Sequence, residues 1–338
     1  MTIEILKPGL LTTLQDAGRP GFAHLGIGRA GAFDAPALRI ANALCGNPRD
    51  ACALEITLLG PTLRFHGDAW IAITGAPIPF RINSADQSTW APVFVAAGST
   101  VELGAMRSGC RSYLAVCGGF DVTSVLGSRS TDVNARLGPF AGQPLRAGGA
   151  LETGSGSFFN GNSRIRDNAK KNEPDPVSAV SVNWRLDPRP WFPENTPATL
   201  RLLPGSHFDK PKETSHKLLF SKTFTVQADS NRVGLRLSGP ALEFGEPVEM
   251  VSEGCVPGLL QLPPSGQPIA FGPECPVSGG YPRIGQIAAV DIPRLAQRRP
   301  GDTLRFTSCT FDDALRALRE RERALTRLET GIAARLIA

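Results

Sequence analysis

The sequence has little of what marks secreted, membrane-spanning or metal-binding proteins. Its seven cysteines form no Cys-x-x-Cys pair, and none of its four histidines lies at metal-ligand spacing from another. No metal is therefore expected, and the cysteines are predicted to be buried, reduced thiols. The N-terminus has no basic segment followed by an apolar run, and nowhere do 18 apolar residues follow one another. We expect a cytoplasmic protein without a signal peptide, a membrane span or a membrane partner.

Blocks of charge of one sign are also missing. Lys and Arg total 36 against 31 Asp and Glu, a net charge of +5, and no block of five or six basic residues occurs. A protein that binds nucleic acid usually carries such a clustered basic surface. The sequence thus predicts no nucleic-acid partner, while a weak attraction for small anions stays open.

Glycine and proline, by contrast, are abundant, with 36 and 29 among the 338 residues. Both residue types interrupt the chain at turns, which favours many short strands over a helical bundle. Three short motifs recur in the same order in the two halves: residues 13–21 resemble 225–234, 60–65 resemble 239–244, and 97–103 resemble 300–306. We predict a mainly β protein of two related barrel-like subdomains with a few helices.

Changes of composition along the chain predict four segments. They are a first β subdomain at 1–153, a polar, proline-rich linker at 154–198, a second β subdomain at 199–310 and an amphipathic helix at 311–338. The first subdomain is expected to contain one helix, capped at its start by Asp34 and stopped by Gly46. The leucines of the last helix recur at helical spacing, so this helix is expected to pack on the body of the protein or on a neighbouring chain.

Three stretches combine polar side chains with glycine turns. In the first stretch, Gln15, Asp16 and Arg19 precede a second group that ends at Asp34. An aspartate can take a proton or orient an amide N–H, and an arginine binds planar anions through two hydrogen bonds. The same residues are equally compatible with an Asp16–Arg19 ion pair in a turn and a helix cap at Asp34.

The second stretch places a Gly-Gly pair before a hydroxyl-rich loop. Its candidate residues are Gly118, Gly119, Asp121, Ser128, Arg129, Ser130 and Thr131. Backbone N–H, hydroxyl and guanidinium groups are the donors that bind phosphate or carboxylate, although the Walker A spacing is absent. An anion site and a polar turn that caps the next element are both open here.

The third stretch contains two glutamates, Glu253 and Glu274, and the pair Gly279-Gly280. Carboxylates can perform acid–base work, and two adjacent glycines let the backbone approach a ligand closely. Cys255 and Cys275 lie in the same stretch but have no neighbouring histidine in the sequence, so a nucleophilic cysteine is not expected.

Five motifs stand in a fixed order along the chain. They are Thr-Thr-x-Gln-Asp-x-Gly-Arg-x-Gly from residue 12, Gly-Ala-x-Asp from 31, Tyr-Leu-Ala-Val-x-Gly-Gly-x-Asp from 113, Ser-Glu-Gly-x-Val-Pro-Gly from 252 and Gly-Gly-Tyr-Pro from 279. Together they resemble the family of the C-type 5-oxoprolinase subunit, which is also called allophanate hydrolase subunit 2, the KipI-antagonist family or the urea-amidolyase-related family. The resemblance covers roughly residues 3–320 outside the polar linker.

This resemblance implies two cyclophilin-like β-barrel subdomains. It also implies one component of an ATP-dependent amidohydrolase of the 5-oxoprolinase type, which activates and opens a cyclic amide. ATP with magnesium would be bound by a complex that includes a KipI-like (B-type) chain and an A-type lactam hydrolase chain. Two other functions stay open: a carboxyltransferase half that moves a carboxyl group to a urea-like amide from biotin on another chain, and a non-enzymatic antagonist of a KipI-like partner.

Taken with the polar stretches, the resemblance assigns roles to individual residues. The expected catalytic residues are Asp16, Arg19, Glu253 and Glu274. The residues expected to bind substrate or nucleotide are Gln15, Asp34, Asn42, Gly118, Gly119, Asp121, Ser128, Arg129, Ser130, Thr131, Arg232, Ser278, Gly279, Gly280 and Tyr281. Where the family usually has Asp-x-Gln-Thr before the Gly-Gly-Tyr motif, this chain has Glu274-Cys275-Pro276-Val277. The substrate therefore stays open between 5-oxoproline and a related amide.

Overall fold

The computed structural model describes residues 1–155, 182–192, 197–246, 248 and 250–337. The chain divides into two compact units, each assembled from separate stretches. The first unit comprises Met1–Gly18, Ala35–Phe192 and Ala324–Ala338, and the second comprises Arg19–Asp34 and Pro193–Arg323. Both units consist mainly of β-strands, which confirms the predicted fold class.

Two antiparallel sheets make up most of the first unit. Its strands are β1 (Thr2–Lys7), β2 (Leu11–Gln15), β3 (Ala53–Thr57), β4 (Thr62–Phe65), β5 (Ala69–Gly75), β6 (Phe80–Ile82), β7 (Ala85–Asp86), β8 (Pro92–Val95), β9 (Thr100–Leu103), β10 (Arg111–Val116) and β11 (Ala150–Glu152). One sheet has the order β11-β1-β4-β9-β6-β7 and the other the order β2-β3-β10-β5-β8. Strands β4 and β9 alternate buried and less buried residues, as expected when one face of a sheet is covered.

The predicted helix of the first unit is present as α1 (Ala35–Leu44) and packs on β5 and β10. Strand β10 is buried along its whole length, consistent with cover by this helix. The hydroxyl of Thr74 donates to the carbonyl of Ala37 at 2.7 Å and ties the helix to the sheet. The helix ends where the sequence predicts, because Gly46 adopts the left-handed backbone conformation with φ 67°. A single turn with left-handed backbone angles, α2 (Pro139–Gly142), follows later in this unit.

The second unit is built around a closed barrel of seven strands. The described strands of this unit, seven in the barrel and two beside it, are β12 (Ala198–Pro204), β13 (Phe224–Val226), β14 (Gly234–Ser238), β15 (Glu253–Gly254), β16 (Leu259–Gln261), β17 (Ile269–Phe271), β18 (Ser278–Gly279), β19 (Arg283–Ile287) and β20 (Thr303–Ser308). The barrel order is β12-β19-β16-β17-β14-β13-β20, and β15 pairs with β18 beside it. Apolar side chains that include Phe224 and Phe306 fill its core, with their ring centroids 5.8 Å apart.

Among the described residues, three α-helices accompany the barrel strands: α3 (Glu213–Ser221), α4 (Ile292–Ala296) and α5 (Phe311–Ile337). Helix α5 begins after Thr310, whose hydroxyl accepts a hydrogen bond from the backbone N–H of Asp313. Of the predicted apolar stripe, Leu325 and Ile332 are buried. Helix α5 contributes residues up to Arg323 to the second unit and the rest to the first. Within the described residues, no helix is long and apolar enough to cross a membrane.

The observed units differ from the predicted segments in two places. Residues 19–34 were assigned to the first subdomain, yet they belong to the second unit, since Phe33 is part of the barrel core. Most of the predicted linker at 154–198 lies outside the described residues. Of its described residues, 197–198 belong to the second unit, whereas 154–155 and 182–192 belong to the first, where the N–H of Leu186 donates to the carbonyl of Trp90 at 2.9 Å.

Candidate functional site

In the first unit, the Asp16 carboxylate is the centre of a hydrogen-bond cluster at the end of β2. Its Oδ1 accepts from the hydroxyls of Ser128 at 2.6 Å and Ser130 at 2.5 Å, and from the N–H of Gly18 at 2.8 Å. Its Oδ2 accepts from the backbone N–H of Arg129 at 2.6 Å. Asp16 is only 8% exposed, and its carboxylate holds the loop around residue 129 through three donors of that loop, while the fourth donor, Gly18, belongs to the turn after β2.

The loop that Asp16 holds begins with a tight turn. Leu126 and Gly127 both have positive φ angles, 52° and 76°, and the backbone groups of Val125 and Ser128 bond to each other across them. This geometry is that of a type I′ hairpin turn, which explains the glycine. The turn leaves the side chain of Arg129 exposed, with its Nε donating to the carbonyl of Val122 at 3.0 Å. A guanidinium on a rigid loop is suited to bind an anionic group.

Gln15 and Thr131 extend the same cluster into the buried side of the unit. The side-chain amide of Gln15 donates to the carbonyl of Thr131 at 2.9 Å and to the hydroxyl of Thr13 at 3.0 Å. The N–H of Thr131 donates to the carbonyl of Leu14 at 2.8 Å. The predicted residues Gln15, Asp16, Ser128, Arg129, Ser130 and Thr131 thus form one connected group.

The Gly-Gly pair turns the chain directly after β10. Gly118 and Gly119 have φ angles of 87° and 69°, which other residues rarely adopt. Their N–H groups are already bonded, to the side chain of Asn47 at 2.9 Å and to the carbonyl of Val116 at 2.8 Å. Asn42, at the end of α1, accepts a 3.3 Å bond from the amide of Asn47. The pair is thus held as a turn by α1, and its backbone donors are used within the chain.

In the second unit, Arg232 and Glu274 form a buried ion pair. The Nε of Arg232 donates to Oε1 of Glu274 at 2.5 Å, and neither side chain is more than 4% exposed. The Nη2 of Arg232 donates to the carbonyl of Gly31 at 2.7 Å, which fastens the 19–34 segment to the barrel. The Glu274 carboxylate is therefore matched by a fixed positive charge, an arrangement typical of a structural pair.

Arg19 and Asp34, at the two ends of the 19–34 segment, are also buried in the second unit. Arg19 is 1% exposed, and its backbone N–H donates to the carbonyl of Arg29 at 2.8 Å. The carboxylate of Asp34 accepts a hydrogen bond from the side chain of Gln297 at 2.8 Å. Arg19 and Asp16 fall in different units, so the expected Asp16–Arg19 pairing stays a prediction.

The other predicted residues of the second unit gather at the β15–β18 pair. Glu253 lies opposite Gly279 in the strand register and forms an ion pair with Arg283. A Cβ at Gly279 would lie 2.8 Å from the side-chain nitrogen of Gln261, so a larger residue here would force the Gln261 side chain to shift. Gly280, whose Cβ would stay 3.6 Å from the nearest neighbour, has no such constraint.

A wide groove runs beside this pair of strands. It has a volume of about 740 Å³, and its lining includes Gly280, Tyr281, Phe244 and Glu246. Tyr281 is 45% exposed, so its ring is available to a ligand or a partner. Ser278 is exposed at the start of the same segment.

The cysteines are free thiols, and five of the seven are buried. Burial raises the pKa of the Cys255 thiol above its usual value, and it raises the pKa of Cys275 to about 12. A raised pKa lowers the thiolate fraction, which is the opposite of what a nucleophilic cysteine needs. The expectation of mostly buried thiols is confirmed. Among the residues that the structure describes, no group of three His, Cys, Asp or Glu side chains is arranged to hold a metal ion.

The structure thus divides the predicted residues into two groups, one in each unit. Asp121 lies in the first unit and is therefore counted in the first group. Its side chain is exposed near the Gly-Gly turn. The predicted site residues did not include Asn47 or Arg283, which contact Gly118 and Glu253. Asn47 follows the glycine that stops α1, and Arg283 follows the Gly-Gly-Tyr-Pro motif. Their positions directly beside these motifs are the sequence signal that could have indicated a role in the site.

Comparisons with known proteins agree on one family. The sequence model described as "Carboxyltransferase domain, subdomain A and B" matches residues 25–308. The C-type 5-oxoprolinase subunit of Escherichia coli (strain K12) is 36% identical over 328 residues, which cover 96% of this chain and 97% of that protein. A putative urea carboxylase of Emericella nidulans is 31% identical over 96% of this chain, but the match covers only 25% of its own length.

A solved structure gives the same relationship at the level of the fold. The crystal structure of the K. lactis urea amidolyase superposes with a TM-score of 0.84 and 27% identity, covering 97% of this chain and 20% of that chain. The family match spans most of the sequence, and the Escherichia coli relative matches nearly all of it. The chain therefore belongs to the family of the carboxyltransferase domain, subdomains A and B, and the resemblance of its motifs to the C-type 5-oxoprolinase subunit is confirmed.

Proposed function

We propose that this chain is the C-type subunit of an ATP-dependent 5-oxoprolinase-type amidohydrolase, which activates and opens a cyclic amide. The observation that carries the proposal is the match with the C-type 5-oxoprolinase subunit of Escherichia coli, which extends over 97% of that protein. The urea carboxylase and urea amidolyase relatives, in contrast, match through less than a third of their length.

Within this enzyme, the proposed task of the first unit is to bind an anionic group of the substrate through Arg129. The exposed guanidinium is attached to a backbone that Asp16, Ser128 and Ser130 hold in place. A preformed donor loses less conformational freedom on binding than a mobile one, so the anchored loop raises affinity without a further contact. A cyclic amide with a carboxylate, such as 5-oxoproline, carries the group that this guanidinium would bind.

The same loop does not fit a triphosphate by itself. The hydroxyls of Ser128 and Ser130 and the N–H of Arg129 already donate to Asp16, which leaves one guanidinium rather than a cradle of donors. The described residues also offer no acidic cluster for magnesium. We therefore assign ATP and its magnesium chiefly to the partner chains, a KipI-like (B-type) chain and an A-type lactam hydrolase chain.

The test is to co-express the chain with the A-type and B-type chains and to measure ATP hydrolysis coupled to lactam opening. Arg129→Ala should weaken substrate binding by about 1.5–3 kcal/mol, the usual contribution of a charge-assisted hydrogen bond. The matched control is Arg146→Ala, because Arg146 is also exposed and donates only to Gln143 among the described contacts. A complex that shows no lactam-dependent ATP turnover would contradict the proposed function, and equal KM values for both variants would contradict the role of Arg129.

A second candidate function is a carboxyltransferase half that acts on a urea-like amide. It is favoured by the family description and by the superposition with urea amidolyase at a TM-score of 0.84. In this case the carboxyl group would arrive on biotin carried by another chain. Transfer of labelled carboxyl from a carboxylated biotin carrier to urea, without lactam turnover, would favour this candidate over the first.

A further inference from the structure

A second surface of the first unit has the features of a docking groove. It lies between residues 184–187 and the last turns of α5, and has a volume of about 320 Å³. Its apolar lining consists of Trp184, Leu186, Leu328 and Ile332. Both walls belong to the same unit, so the groove is a feature of that unit alone.

The two walls are fixed to the body of the unit by independent contacts. On one side, the N–H of Leu186 donates to the carbonyl of the buried Trp90 at 2.9 Å. On the other side, Glu329 of α5 forms a 2.9 Å ion pair with Arg39 of α1, and both side chains are largely buried. A groove with both walls anchored is already formed before a ligand arrives, which lowers the entropy lost on binding.

The charge around the groove is positive. Arg185, Arg327 and Arg335 line it, and none of the three forms an ion pair with any residue that the structure describes. The one carboxylate in the lining, Asp187, is engaged by the guanidinium of Arg189 at 2.8 Å, which lowers its pKa. An acidic ligand is therefore the electrostatically matched one.

A glycine in the last turns of α5 leaves the groove open. Gly331 lines it, and a Cβ at this position would meet no other atom within 4 Å. Glycine in a helix interior destabilises the helix relative to alanine, and close packing does not require it here. The space over Gly331 is thus available for a side chain from another molecule. Arg335, whose guanidinium lies 5.7 Å from the ring centroid of Trp184, borders this space.

We propose that this groove binds an acidic segment of the KipI-like partner chain, which inserts a large apolar side chain over Gly331 between Trp184 and Leu328. The inserted side chain of the partner would contact the apolar lining of the groove. Acidic residues of the partner on either side of it would pair with the three arginines around the groove. This inference rests on the proposed function for the identity of the partner. It adds the surface by which the partner is held.

The experiment uses the full chain and the purified KipI-like chain, and measures their dissociation constant at two salt concentrations. Arg327→Glu reverses one charge of the groove, and Gly331→Leu fills the space while strengthening the helix. The matched controls are Arg319→Glu and Ala334→Leu, since both residues are exposed on α5 and neither lines the groove. Each groove variant should weaken binding at least tenfold and each control less than threefold. Wild-type binding should weaken as salt rises, because the attraction is between charges.

The outcomes separate the groove from the proposed function. If all variants bind the partner like wild type, the groove proposal is overturned while the proposed function stands. If the wild-type chain forms no complex with the KipI-like chain, that chain is not its partner. Both the partner named in the proposed function and the groove proposal are then contradicted. If the chain alone is a dimer that Gly331→Leu converts to a monomer, the occupant is a second copy, and the proposal is again overturned.

Discussion

Replacing Asp16 with asparagine distinguishes an anchoring carboxylate from a catalytic base. Both carboxylate oxygens accept hydrogen bonds, three at Oδ1 and one at Oδ2. An asparagine that keeps its carbonyl oxygen at the Oδ1 position must place its NH2 group against the N–H of Arg129. That contact joins two donors, so one charge-assisted bond is lost and the other three become weaker neutral bonds.

The magnitude follows from these four bonds. Loss of one charge-assisted bond costs about 2 kcal/mol, and conversion of the other three to neutral bonds adds about 1 kcal/mol in total. A loss of about 3 kcal/mol corresponds to a fall in Tm of about 6–12 °C for a unit of this size. Differential scanning calorimetry measures this fall. Asp121→Asn is the control, since the Asp121 side chain is exposed, and its Tm should stay close to that of wild type.

The same variant tests the alternative that Asp16 acts as a general base. Removal of a base lowers turnover about 10²–10⁴-fold without a loss of stability. If Asp16→Asn in the assembled complex keeps the wild-type Tm within about 2 °C and loses a hundredfold in turnover, the reasoning from the four hydrogen bonds is refuted. A lower Tm together with a raised KM is the result that an anchoring role requires.

Three further predictions concern two buried groups and one half-buried thiol. Glu274→Gln leaves the buried guanidinium of Arg232 without its charge partner and should destabilise the protein by about 3–5 kcal/mol in urea unfolding. Tyr113→Phe removes the 2.7 Å bond to the buried Glu55 carboxylate and should cost about 1–3 kcal/mol in the same assay, so an unchanged midpoint would contradict that bond. Burial raises the pKa of Cys117 to about 11, so about one thiol in a thousand is ionised at pH 8, and labelling by a disulfide reagent should accelerate as the pH approaches 11. Rapid labelling of Cys117 at pH 7 would show that this thiol is not shielded.

Local signals in the sequence predicted the parts of the fold that depend on neighbouring residues. Helix α1 ends at Leu44, just before Gly46, as predicted, because the left-handed backbone of Gly46 needs no distant contact. The recurring Gly-x-Thr turns at Gly98 and Gly301 adopt φ angles of 82° and 89° and lead into β9 and β20, so this part of the internal repeat is structural.

The candidate site was harder to predict because its contacts join residues far apart in the chain. Asp16 and Ser128 are 112 residues apart, and nothing in either motif indicates that one accepts a hydrogen bond from the other. Arg232 and Gly31 are 201 residues apart. Dividing the sequence into segments by their composition therefore could not predict that residues 19–34 belong to the second unit. Motif resemblance found these residues, and only the structure gives their partners.

The interleaved course of the chain has a consequence for synthesis. Every strand of the first unit lies before residue 193, yet the turns of α5 that complete this unit begin at Ala324. During translation the ribosome must make the whole second unit before Glu329 can reach Arg39, 290 residues earlier. Until then the surface of α1 that receives α5 is exposed to other chains, and contacts of such long sequence separation form slowly. A gene cut after the codon for Phe192 would therefore yield a first unit that lacks its helical segment from Ala324 onward.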